Sequence, residues 1–457
     1  MMRGEEARQR RKEGQLGSEK QLQSRGESPG HPSTQDVPWT SQKRYPFETE
    51  TSLEETALTI FLQALLPFVL AGVGMTVAGM FLDFVKHWKV FVDIKELLTL
   101  VPSLVGLKGN LEMTLASRFS TAVQATVVGL LAALVALVLE FISGQKVELS
   151  HIGVLCASSV VTAFVAAFFL GVTMIGVILT ARKLGINPDN IATPIAAMLG
   201  DVIALSILAL ISSIFYKYIE KYYIFLGICL FFFALIPMWI IIVNQSPSIF
   251  QVLKTGWYPI IISMFISSLG GLIFSKAVSE KDFKGMAFFT PVVNGVGGNL
   301  VSIQVSRIST YLYSWSTLGV LPYNMKSYWP NPCTTFCSSE INSVSARVLL
   351  LLVVPGQLIF LFIIHLKEGD EIGLNPLFVV MYLIGSFTQV LILLYLADFM
   401  VRLIWRWSQD PDSYCIPYLT GLGDLLGVSF LTICFLLNSF LFKKNLENSN
   451  MADTGPP

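Results

Sequence analysis

Apolar stretches long enough to cross a bilayer recur along the chain from Leu58 onward. They lie near 57–81, 97–116, 124–143, 151–181, 191–216, 222–243, 256–276, 286–311, 346–366, 374–404 and 415–441, eleven in all. Runs such as 151–181 and 374–404 are longer than a perpendicular helix needs, so they predict tilted or protruding helices. Before them, residues 1–50 are rich in Arg, Lys, Glu, Gln and Ser with no apolar period. Such a segment buries too little apolar area to offset its ordering entropy and reads as a disordered tail. No apolar run near Met1 marks a signal peptide. Glu5, Glu6, Glu13 and Glu19 interrupt the arginines, against a mitochondrial transit peptide.

Comparing the chain with itself divides it. Residues 102–121 read P-x3-G-x2-G-N-L-x5-S-R-x-S-T, and 291–310 repeat the pattern at an offset of 189. Nine of the twenty positions are identical, where unrelated sequence gives about one. A second pattern, P-D-x4-P-x4-L-G-D, occurs at 188–201 and 411–424, offset by 223; upstream, Pro67 and Gly79 match Pro259 and Gly271 at an offset of 192. The features keep their order, so duplication is the reading. The expected organisation is a tail over 1–50, a first repeat over 51–217, a connecting helix in 218–250, a second repeat over 251–441 and a tail over 442–457. Each repeat holds five spans. Five is odd, so the connector lets the second repeat enter from the same side as the first. Parallel repeats then share a pseudo-two-fold axis along the membrane normal, and a site on that axis draws on both. The fold class expected is an all-α polytopic membrane protein of about eleven transmembrane helices.

Composition agrees with that class. Hydrophobic residues are 53% of the chain and charged residues 14%, against about 25% charged in soluble domains; the mean hydropathy is +0.63. The net charge is zero, which gives no reason to expect a nucleic-acid partner. Six cysteines and four histidines are scattered, and only Cys333 and Cys337 share a polar loop, so no thiolate or imidazole metal site is expected. The basic residues favour a cytoplasmic N-terminus and an external C-terminus, although Lys86, Lys89, Lys95, Lys281, Lys284, Lys443 and Lys444 fall on the other side.

The candidate chemistry sits in the repeated motifs. Asp201 and Asp424 each lie several residues inside an apolar segment, where a carboxylate costs roughly 2.5–3.5 kcal/mol on insertion scales. Two such groups brought together repel unless a proton or a cation lies between them. Mg²⁺ suits the place, because it keeps most of its water and is usually held by one or two carboxylates. The plain alternative is that each Asp hydrogen-bonds within its own half. Asn110 and Asn299 stand in the two G-x2-G-N motifs. Glycines there can open the helix to an ion path, and an Asn oxygen is a hard ligand. Small-residue helix packing with an Asn across the interface is the alternative. Lys108 and Glu112, at i and i+4, replace Gly297 and Val301 of the second repeat and read as a local ion pair. Arg118 and Arg307 read as helix-end arginines that snorkel. Asp398 and Arg402 read as an i, i+4 pair near the interface, and the loop 312–345 as a flexible excursion.

Four segments together resemble one family: Leu98–Thr121 (LTLVPSLVGLKGNLEMTLASRFST), Pro188–Asp201 (PDNIATPIAAMLGD), Phe289–Thr310 (FTPVVNGVGGNLVSIQVSRIST) and Pro411–Asp424 (PDSYCIPYLTGLGD). They resemble solute carrier family 41, the animal relatives of the MgtE magnesium channels, over about residues 50–445. The loop Trp329–Cys337 (WPNPCTTFC) points to the member-3 branch. The resemblance implies Mg²⁺ as the transported ion and Na⁺ as a possible coupling ion, with no cofactor and no enzymatic activity. It implies that Asp201 and Asp424 bind Mg²⁺ on the axis, as the aspartate in the last helix of each MgtE five-helix unit does. The bacterial regulatory domains have no counterpart here. The family also carries a few tens of residues between S-R-x-S-T-A and V-Q-A-T-V-V, whereas Ala122 runs directly into Val123, as in a shortened isoform.

Two other readings are weighed. A carrier of another divalent ion or of an organic cation needs the same buried acids. Gly421-Leu422-Gly423-Asp424 also spells the G-x-G-D of intramembrane aspartyl proteases, which use an Asp pair sharing a proton. Against a protease, the first repeat reads Met198-Leu199-Gly200-Asp201, and neither the Tyr-Asp partner nor the Pro-Ala-Leu signature is present. The expected location is a lipid bilayer, the plasma membrane first and the mitochondrial inner membrane second, with a pseudo-dimeric monomer as the unit.

Overall fold

The computed structural model describes residues 56–113, 118–143, 148–183, 188–244, 247–280, 283, 285–325, 327, 329–368 and 375–453; the N-terminal tail lies outside them. Among the described residues there is no strand. Each apolar stretch falls on a long helix: α1 Ala57–Lys86, α3 Glu96–Met113, α4 Arg118–Ile142, α5 Leu149–Lys183, α6 Pro188–Tyr216, α7 Tyr222–Asn244, α8 Pro247–Val278, α9 Met286–Trp315, α11 Ile341–Glu368, α12 Pro376–Arg406 and α13 Pro411–Asp453. Two short helices, α2 Lys89–Asp93 and α10 Pro332–Cys337, lie between them. Nine of the long helices are long and apolar enough to cross a membrane among the described residues; the apolar stretches Glu96–Val105 of α3 and Tyr222–Met238 of α7 are shorter. The chain is an all-α polytopic membrane protein.

Local chemistry sets several boundaries. Thr56 caps α1 by accepting from the Thr59 N–H at 3.4 Å. Asn375 caps α12 in the same way from Leu377 at 3.3 Å, with Pro376 at the first helical position, where its missing N–H costs nothing. Prolines 67, 102, 259, 291 and 417 stand inside α1, α3, α8, α9 and α13. Membrane helices tolerate this because neighbouring groups satisfy the freed carbonyls. Large side chains such as Phe141, Phe168, Phe233 and Leu351 point outward, as a lipid-facing surface requires.

Two expectations need correction. The motif S-R-x-S-T does not end both second helices: Arg307 lies well inside α9, whereas Arg118 opens α4. With the intervening segment short, the residues that continue α9 have their counterparts at the start of the next helix. The stretch 312–345 is not a flexible excursion. Tyr395 donates to Pro330 O at 2.9 Å, Thr335 to Asp398 Oδ2 at 2.7 Å, Arg347 to the carbonyls of Phe336 and Ser338, and Trp405 Nε1 to Val320 O at 2.9 Å. Its backbone polar groups are thus tied to α11 and α12. The last helix, α13, runs on to Asp453, since no Gly or Pro interrupts it between Gly427 and Gly455.

The long helices interlock. α1 packs on α9 and α11, and α8 packs on α3 and α4; each also packs on the aspartate-bearing helix of its own half, α1 on α6 and α8 on α13. Glycines permit the crossings. A Cβ on Gly79 of α1 would lie 2.3 Å from Phe288 O of α9, and one on Gly271 of α8 would lie 2.1 Å from Thr99 O of α3. Gly79 and Gly271 are the pair matched at an offset of 192, and Thr99 and Phe288 are 189 apart, the offset of their own helices. Between α1 and α11, Gly72 faces the Phe360 ring and Gly356 the Phe68 ring, with the two ring centroids 5.7 Å apart.

Candidate ion-binding site

Asp424 lies on α13, which packs against α8, α9, α12 and α3. Its approach to them depends on glycines on two of its faces. A Cβ on Gly421 would lie 2.7 Å from Ser263 O on α8, and one on Gly423 would be 3.6 Å from Gly298 N on α9. From the other side, Gly270 of α8 lies directly against the backbone of Asp424 and Leu425. The Asp424 carboxylate is half-buried, and Ser267 donates to its Oδ2 at 2.7 Å. One face of the acid is thereby fixed to α8 by a hydrogen bond to a charged acceptor, the stronger kind.

Asp201 lies on α6, which packs on α1, α3 and α5, and is 2% exposed. Among the described residues the Asp201 and Asp424 helices are not extensively packed against one another; α3 touches both. Asn110 is on α3, with its side chain outside the described residues, as are those of Lys108, Glu112 and Arg118. Asn299 is half-buried on α9, next to Gly298, where α9 meets α13 at Gly423. The structure therefore places Asp424 and Asn299 on two helices that cross closely, and it joins the two aspartate helices through α3.

Three polar groups near Asp424 were missed from the sequence: Ser267, Asn294 and Gln389. Gln389 of α12 is fully buried and donates from Nε2 to Gly423 O at 2.9 Å. Asn294 of α9 is also buried, with its Oδ1 facing Gly427. Gln389 borders the apolar run Val390–Leu394, beside Ser386 and Thr388, and nothing in that pattern sets it apart. Nothing in the repeat pattern marks Ser267, whose counterpart at an offset of 192 is Met75. A further buried acid, Glu140 of α4, accepts from Thr99 Oγ1 at 2.8 Å and ties α4 to α3.

The Asp398–Arg402 pair forms as expected, Nε to Oδ1 at 2.8 Å, but both residues are buried. With Thr335 as a third partner, it fastens α10 to α12. Among the described residues no three His, Cys, Asp or Glu side chains group closely enough to hold a bare metal ion. A site of one or two carboxylates with hydroxyl and amide neighbours fits a hydrated hard cation.

The chain matches the MgtE family, described as divalent cation transporters, over residues 122–211 and 290–434. It is 53% identical over 475 residues to solute carrier family 41 member 3 of Mus musculus, covering 96% of each chain. Against member 3 of Rattus norvegicus it is 56% identical over 413 residues, 85% of this chain and 89% of that protein. Against member 2 of Homo sapiens it is 50% identical over 407 residues, 84% of this chain and 71% of that protein.

Proposed function

Because the chain belongs to solute carrier family 41, we propose that it transports Mg²⁺ across a membrane, with Asp201 and Asp424 as the carboxylates that hold the ion. The observation that carries this reading is Asp424 itself. It is an acid within a membrane helix, fixed on one side by the Ser267 hydroxyl and placed where glycines bring α8 and α9 close. Its repeat partner Asp201 is buried on a helix that shares α3 with it. Carboxylates at such depth are costly without a counter-charge, and a passing divalent cation supplies one. Mg²⁺ gives up water reluctantly, so two carboxylates that meet it through its hydration shell need no closed protein cage.

In this reading the two five-helix repeats, 51–217 and 251–441, meet on a pseudo-two-fold axis. The paired contacts Gly79–Phe288 and Gly271–Thr99 support it. Asn110 and Asn299 line the path near the aspartates and trim its selectivity. Transport is exchange driven by Na⁺, and the plasma membrane is its place. Another divalent or an organic cation is the second reading. It uses the same acids and differs in the competition it predicts.

The test is Mg²⁺ flux into vesicles carrying the purified protein, with and without a Na⁺ gradient, for the wild type, Asp201→Asn and Asp424→Asn. Flux that responds to the gradient and is lost in both variants is the expected result. Wild-type flux in both variants removes the site. Flux indifferent to Na⁺ removes the exchange, and failure of Mg²⁺ to compete with other cations favours the second reading.

A further inference from the structure

The molecule builds the same pocket twice and finishes it in two ways. In the first half, Val105 of α3, Ala166 of α5, and Gly200 and Ala204 of α6, with Thr162, line a mostly apolar pocket of about 20 Å³. The offset of 189 for α3 and of 223 for α5 and α6 turns the first four of these residues into Asn294, Gln389, Gly423 and Gly427. The helix ends keep the second offset too, because α5 stops at Lys183 and α12 at Arg406.

Those four residues meet in the second half. Gln389 Nε2 donates to Gly423 O at 2.9 Å and, more weakly, to Val293 O at 3.4 Å. A Cβ on Gly427 would lie 2.3 Å from Asn294 Oδ1 and 2.9 Å from Gln389 Nε2; one on Gly297 would lie 2.6 Å from the same nitrogen. The amide of Gln389 therefore occupies the volume that Ala166 leaves empty in the first half, and glycine at 427, in place of Ala204, admits it. Gly423 O is the carbonyl of the peptide that leads into Asp424. Donation to it clamps α13 to α12 one residue before the carboxylate, while Ser267 holds the carboxylate from α8. Ala166 has no group that could do this for the peptide before Asp201.

We propose that Gln389 is a positioning residue for Asp424, holding the Gly423 peptide so that the carboxylate keeps its place against α8. The inference rests on the assignment of Asp424 as an ion-binding carboxylate.

The test uses Gln389→Met, which keeps length and volume but lacks the donor, and Gln389→Ala, which copies the first half. Mg²⁺ flux in vesicles is measured against Mg²⁺ concentration, with Asp424→Asn in the same series. A lost buried hydrogen bond that held the ligand in place should raise the half-saturating concentration about tenfold, with the maximal rate within about twofold of wild type. A merely structural role predicts fewer active molecules, hence a lower maximal rate at unchanged half-saturation, and that result overturns the proposal, as does wild-type behaviour in both variants. Asp424→Asn separates the two layers: if it transports like wild type, the site assignment itself has failed. If it is inactive while Gln389→Met keeps the wild-type half-saturation, only the positioning role has failed. A variant that does not reach the membrane is replaced by Gln389→Asn, whose amide is one methylene too short for Gly423 O and whose half-saturation decides in the same way.

Discussion

At the scale of single residues, the candidate site depends on small groups as much as on its acids. Ser267 gives Asp424 its hydroxyl donor, and a hydrogen bond to a charged group is worth about 1.5–3 kcal/mol. Ser267→Ala should therefore raise the half-saturating Mg²⁺ about tenfold or more while leaving the fold intact, because alanine fits the same space. Flux titrations that superpose on wild type would show that the serine does not set the carboxylate. The glycines act differently. Gly79 and Gly271 lie where a Cβ would meet a carbonyl oxygen at 2.3 and 2.1 Å, and both oxygens are backbone, which cannot swing aside. Gly271→Ala should push α8 from α3 and lower stability by about 1–3 kcal/mol, the usual range for overpacking. Thermal unfolding in detergent measures it, and an unchanged midpoint would mean the helices separate without cost. The aspartates were legible in the sequence because a charge inside an apolar run is conspicuous. Ser267, Asn294 and Gln389 were not, since a neutral polar residue on a membrane helix carries no signal until its neighbours are known.

At the scale of elements, hydrophobic run length located every long helix, and it failed where order comes from tertiary contacts. The stretch 312–345 carries Gly319, Pro322, Pro330 and Pro332 as helix breakers between α9 and α11, yet it is ordered as a cap. Its anchor is the buried trio of Asp398, Arg402 and Thr335. The i, i+4 spacing predicted the ion pair but could not predict its burial, which the cap supplies. Breaking one member of a buried pair leaves an uncompensated charge and costs about 3–5 kcal/mol. Asp398→Asn should thus destabilise the protein by that order, whereas Asp398→Asn combined with Arg402→Gln should recover much of the loss. Unfolding midpoints of the two single variants and the double variant check it. Additive losses would show that the residues do not act as a pair. The first half has no such cap: after Met113, the next described helix begins at Arg118.

For the whole molecule, the consequential feature is that the halves exchange their first helices. α1 leaves its own second and third helices to pack on α9 and α11, and α8 does the converse with α3 and α4. Each crossing is closed by a glycine that meets the other half's backbone and, for α1, by interdigitated Phe68 and Phe360. The duplication was visible as repeated motifs. The exchange was not, because two copies of one pattern satisfy a separate and an interlocked arrangement equally well. Interlocking makes a strong prediction about cooperation. If each half were a self-sufficient bundle, residues 1–217 and 218–457 expressed separately would each give a stable membrane protein. In the arrangement seen here, each fragment alone presents α1 or α8 without its partner helices and leaves the Gly79 or Gly271 contact unmade. Apolar helices in lipid gain little from burial as such and associate through close packing and hydrogen bonds, so losing these fitted contacts removes what holds the bundle together. The separate fragments should be degraded or polydisperse, while co-expressed fragments should copurify as a one-to-one complex and restore Mg²⁺ flux. Size-exclusion chromatography of each fragment and of the pair decides it: a monodisperse fragment on its own would mean that the halves dock after folding, and the shared helix α3 would then be a contact between finished units rather than part of one continuous core.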